Sequence, residues 1–86
     1  MLIARLEVRN PTGLHMRPAT EFAQIAQDFS CAVRVRKGDK SANAKSLLKL
    51  LTIGVSQGDV IELSCNGADE AEALARLSNF LENLCE

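Results

Sequence analysis

Apolar and polar residues take turns one by one in four short stretches of this chain, and the longer stretches between them repeat on a helical period. Leu2, Ala4, Leu6 and Val8 alternate with Ile3, Arg5, Glu7 and Arg9, which predicts a first strand with one covered face. Ala19, Phe22, Ala23 and Ala26 recur at the spacing of one helix face, giving a first helix of roughly three turns, and its small alanines let it approach a sheet closely. Cys31, Val33 and Val35 alternate with Ala32, Arg34 and Arg36 in a second strand. Lys37-Gly38-Asp39-Lys40 reads as a hairpin turn into a short third strand around Ser41 to Ala44. Ser46 opens a short helix that stops at Gly54. Ser56-Gln57-Gly58-Asp59 turns the chain into a fourth strand with Ile61, Leu63 and Cys65 on one face, ended by Asn66-Gly67. Asp69 with Glu72 three residues on reads as a capping box opening a final helix that runs to about Leu84, with Leu74, Leu77, Leu81 and Leu84 as its buried stripe. The order β-α-β-β-α-β-α, with strands that are half polar, predicts an α+β fold. It is a four-stranded antiparallel sheet with three helices packed on a single face.

At 86 residues there is chain enough for one domain, residues 1–86, and one core. No apolar run approaches the length of a membrane span, and Met1-Leu2-Ile3-Ala4-Arg5-Leu6-Glu7 lacks the layout of a signal peptide. Cys31, Cys65 and Cys85 form no metal-ligand spacing and no even disulfide set, so the expectation is reduced cytoplasmic thiols and no metal. Cys31 and Cys65 are then buried as small apolar residues, with Cys85 exposed near the C-terminus. Residues 1–49 carry nine basic and four acidic side chains, and residues 50–86 carry one basic and seven acidic. The basic half suits an anionic substrate or an acidic partner. Nucleic acid fits poorly, because Trp and Tyr are absent and the three Phe fall at core-like positions.

The chemistry concentrates at the only histidine. His15 lies in Asn10-Pro11-Thr12-Gly13-Leu14-His15-Met16-Arg17-Pro18-Ala19, a turn-forming stretch that feeds a helix start. A helix N-terminus presents backbone N–H groups and a partial positive charge, so it favours an anion. An imidazole nucleophile, the Arg17 guanidinium and an anion site in one loop point to phosphate chemistry, with Met16 and Arg17 as the phosphate-binding residues. A lone histidine is more often a surface or capping residue, but that reading leaves the coincidence of His, Arg and helix start unexplained.

The second helix holds Leu47, Leu48, Leu50, Leu51 and Ile53, which spread over more than half of its circumference. A single sheet covers one side only. The spacing places Leu50 and Ile53 inward and leaves Leu47, Leu48 and Leu51 as an exposed apolar patch bordered by Lys45 and Lys49, a docking surface suited to an acidic protein. Ser46 is read as the N-cap of this helix and, in a second reading, as a regulatory phosphorylation site.

The Gly13-Leu14-His15-Met16-Arg17-Pro18-Ala19 and Ala44-Lys45-Ser46-Leu47-Leu48 runs, with the element order, resemble the HPr family over essentially the whole chain. These are the histidine-containing phosphocarriers of the bacterial phosphoenolpyruvate-dependent sugar phosphotransferase system. The resemblance implies an open-faced β-sandwich and a cytoplasmic phosphocarrier without a cofactor. It implies that His15 takes a phosphoryl group on Nδ1 from phospho-Enzyme I and passes it to the IIA domain of a sugar permease, with Arg17 contacting the group. It further implies docking through Leu47, Leu48, Lys49 and Leu51, an HPr kinase/phosphorylase acting on Ser46, and a monomer not inserted in a membrane. Such a chain is a reactant in the catalysis of others rather than a stand-alone enzyme. Two other readings stay open: a carrier in a nitrogen- or metabolism-linked phosphorelay, and a non-catalytic regulatory module that binds through the leucine patch.

Overall fold

The alternating stretches pair into one antiparallel sheet. The computed structural model describes residues 1–84, so the expected exposure of Cys85 lies outside the described residues. The elements in chain order are β1 (Leu2–Glu7), α1 (Met16–Gln27), β2 (Ala32–Lys37), β3 (Lys40–Asn43), α2 (Leu47–Ile53), β4 (Val60–Asn66) and α3 (Glu70–Glu82). The strand order is β1-β4-β2-β3. β1 pairs with β4 from Leu2↔Cys65 to Glu7↔Val60, and β2 pairs with β4 from Ala32↔Asn66 to Arg36↔Glu62. The third strand starts one residue earlier than its pattern suggested, because the two-residue turn at Gly38-Asp39 lets Lys40 pair at once with Lys37.

Period-two patterning separates the two faces as the sequence predicts. Val33, Val35, Ile61, Leu63 and Cys65 point into the core, and the burial of Cys31 and Cys65 is as expected. Burial pushes the Cys31 thiol up, and pushes the Cys65 thiol up to about 11. On the open face Arg5, Glu62 and Arg36 lie in one row across three strands, and Arg36 Nη2 donates to Glu62 Oε2 at 2.9 Å. Leu2, read as facing inward, is exposed at the end of edge strand β1, where no further strand covers it.

The helices supply the covering layer. Pro18, Ala19, Phe22, Ala23 and Ala26 are the buried face of α1, and Phe22 meets the partly buried Phe80 of α3 with ring centroids 6.1 Å apart. The stripe of α3 is shifted from the leucine pattern. Ala73, Leu77 and Leu81 are buried, whereas Leu74 is only partly buried and Leu84 lies past the helix end, also partly buried.

The capping box at the start of α3 does not form. Asp69 makes no side-chain cap bond to its own helix. Its carboxylate instead accepts from the backbone N–H groups of Ser30 and Cys31, both at 2.9 Å, across the chain at the start of β2. Two amides at a strand start outcompete one at the helix start, and the Ser30 N–H foremost holds the Asp69 carboxyl below the usual carboxylate range. Glu70, not Glu72, reaches back, and accepts from Gly67 N–H at 3.1 Å.

Candidate functional site

The loop carrying His15 is shaped by a turn and by a close approach. Asn10 is buried, its side-chain amide donates to Gly13 O at 2.7 Å, and Gly13 N–H donates back to Asn10 O at 3.2 Å. Gly13 has φ +63°, and a Cβ there would stand 2.8 Å from Ser56 Cα. Only glycine fits a left-handed backbone pressed this closely on another segment. Leu14 is then buried, and its N–H donates to Val55 O at 3.1 Å, so the chain leaves the loop fixed to the segment that follows α2.

His15 is the N-cap residue of α1, with extended backbone (φ −80°, ψ −173°), and its carbonyl accepts from Ala19 N–H at 2.9 Å. Its imidazole makes no capping bond and lies exposed. A Ser, Asp or Asn at this position would spend its side chain on the helix amides. Pro18 is the third helical residue and has no N–H, so Met16 and Arg17 are the amide donors of the first turn apart from the one His15 O holds. Thr20 Oγ1 donates to Met16 O at 2.6 Å and firms that turn. Met16 and Arg17 are both exposed beside the imidazole in sequence. The structure thus brings His15, Met16 and Arg17 to one helix end, where an exposed imidazole shares the terminus with groups that favour an anion.

Ser46 caps α2, and its Oγ accepts from Lys49 N–H at 3.4 Å, a long bond. Gly54 ends the helix in the left-handed conformation. Leu50 and Ile53 face the core as expected. The patch is smaller than the sequence suggested. Leu48 is 77% exposed, but Leu51 is partly buried and Leu47 packs partly against the core. Lys45 is not a loose rim cation either, since its Nζ donates to Phe29 O at 2.7 Å, while Lys49 is exposed.

The family model for the PTS HPr component phosphorylation site matches residues 3–83. The chain belongs to the HPr family. A phosphocarrier protein HPr of Neisseria meningitidis is 41% identical over 81 residues, which cover 94% of this chain and 91% of that protein. A multiphosphoryl transfer protein of Xanthomonas campestris is 46% identical over 74 residues, 86% of this chain but only 9% of that much longer protein. HPr-C-His from Thermoanaerobacter tengcongensis superposes with a TM-score of 0.92 at 45% identity, covering 95% of this chain and 92% of that one. Crh of Bacillus subtilis, solved as a dimer with a swapped domain, superposes at 0.78 with 38% identity over 100% and 99% of the two chains. The open-faced sandwich expected of an HPr chain is the fold observed.

Two parts of this candidate site escape the sequence. Asn10 reads only as a turn former, although an Asn three residues before a Gly is a turn signature that hints at its bonds to Gly13. The docking of Gly13 and Leu14 on residues 55 and 56 joins positions more than forty apart in the chain, and nothing local announces it.

Proposed function

We propose that this chain is a phosphocarrier in which His15 Nδ1 accepts a phosphoryl group from phospho-Enzyme I and passes it to a IIA domain. The observation that carries the reading is the imidazole itself: exposed, at the N-cap of α1, and free of a capping bond, in a chain of the HPr family. Of the two ring nitrogens, Nδ1 is fewer bonds from the main chain that carries the amides of the first turn. Its lone pair attacks phosphorus, the N–P bond forms as the bond to the donor breaks, and the same step in reverse sense loads the next acceptor. The incoming charge is met by the N–H groups of Met16 and Arg17, by the positive end of α1, and by the Arg17 guanidinium. Positioning and charge stabilisation suffice for such a transfer, so no acid–base dyad is required.

Leu48 and Lys49, with the half-covered Leu47 and Leu51, form the docking face for the two protein partners. Ser46, exposed in part at the start of α2, is the site for an HPr kinase/phosphorylase. The chain works as a cytoplasmic monomer. Its two described thiols are free, and β1 finds its partner strand within the same chain.

Intact-mass analysis after mixing with phosphoenolpyruvate and a bacterial Enzyme I tests the reading. Wild type gains one acid-labile phosphoryl group and His15→Ala gains none. A group that persists on His15→Ala, or none on wild type, sinks the assignment.

A further inference from the structure

The segment of residues 54–59 holds the His15 loop at both ends. On the incoming side, Gly58 N–H donates to Val8 O at 2.7 Å, Val8 N–H to Asp59 O at 2.8 Å, and Gln57 Nε2 to Arg9 O at 3.1 Å. On the outgoing side, Leu14 N–H donates to Val55 O at 3.1 Å and Gly13 lies against Ser56. The place of the loop is therefore set by the shape of this segment.

That shape is itself held by one ion pair. Lys37, the last residue of β2, donates from Nζ to Gly54 O and to Asp59 Oδ2, both at 2.8 Å. The ammonium thus bridges the first and last residues of the segment. Asp59 Oδ2 also accepts from Ser56 N–H at 2.8 Å, and Asp59 N–H donates to Ser56 O at 3.1 Å, which closes the turn from within. Both side chains are about one-third exposed, so the pair adds little to overall stability. Its effect is on place rather than on stability.

We propose that Lys37 and Asp59 are positioning residues for phosphoryl transfer at His15, latching residues 54–59 into the form on which the His15 loop is docked. The assignment of a transfer role rests on the phosphocarrier reading; the latching of the loop does not. In-line transfer is sensitive to displacements of about 1 Å, so a slackened loop slows the step without removing any group that contacts phosphate.

The test uses the full chain with Lys37→Met, Asp59→Asn, their double variant and the charge-keeping Lys37→Arg. Two quantities are read: exchange of the Leu14 amide by NMR, and the phosphorylation rate as a function of phospho-Enzyme I concentration. Both single variants speed Leu14 exchange about threefold to tenfold and lower the limiting rate by a similar factor, with KM unchanged. The double variant is no worse than either single one, and Lys37→Arg restores both readouts. Unchanged Leu14 exchange overturns the proposal, as does faster exchange with an unchanged limiting rate. Should Asp59→Asn fail to fold, Lys37→Met decides by the same readouts. If wild type takes no phosphoryl group, the phosphocarrier reading and the transfer role fall together, and Leu14 exchange alone then decides whether the latch exists.

Discussion

At the scale of single residues, the chemistry of the site is local and its placement is not. The proposed site residues His15, Met16 and Arg17 are legible because one stretch of chain carries an imidazole, two helix-start amides and a guanidinium. Gly13 shows the other half. Its left-handed φ and its approach to Ser56 belong to a contact with a remote segment. Gly13→Ala is expected to cost about 1–3 kcal/mol in urea unfolding and to slow phosphorylation of His15, because both the strain and the overlap fall on the loop. A variant as stable and as fast as wild type would show that the loop relaxes around a methyl group. The carboxylates give a second prediction. Asp59, foremost through Lys37, Asp69 through Ser30 N–H, and Glu70 through Gly67 N–H all lie below their usual range when folded. A depressed folded pKa means that the stabilisation is complete well above the unfolded value and is lost as pH falls through the folded one. The urea midpoint should therefore drop below about pH 5, and less steeply in Asp69→Asn than in wild type. Equal slopes would show that Asp69 carries none of the effect.

At the scale of elements, periodicity finds each helix and strand, and two of the departures sit where elements meet: at the start of α3 and on α2. Asp69 with Glu72 has the spacing of a capping box, yet Asp69 turns to Ser30 and Cys31, a contact made only once β2 is beside the start of α3. In α2 the leucines outnumber the buried places, and the sequence correctly sends Leu50 and Ile53 inward. It overstates the remainder, because Leu47 lies against the core where the sheet and α1 meet it. Leu48 is left as the most exposed apolar side chain of that helix. Leu48→Ala is expected to change stability by less than about 0.5 kcal/mol while raising KM for phospho-Enzyme I. An unchanged KM would move the docking face elsewhere.

At the scale of the whole molecule, the sequence predicts four antiparallel strands under three helices but not their order, since alternation says which face is covered and nothing about neighbours. The order β1-β4-β2-β3 makes β1 an edge strand with one partner, reached within its own chain over six residue pairs. Sedimentation equilibrium should accordingly give a mass near 9.3 kDa, and a mass of twice that would mean that β1 pairs across copies instead. The same order mixes the oppositely charged halves of the sequence, because β4 from the acidic half runs between β1 and β2 from the basic half. For a chain emerging from a ribosome this sets a schedule. β1 has no neighbour to join until residues 60–65 have been added, and the clamp on Ser30 and Cys31 waits for Asp69. The loop bearing His15, built early, stays without its support at residues 54–59 through most of synthesis. A fragment that stops before residue 54 therefore carries the His15 loop without the segment on which that loop is docked.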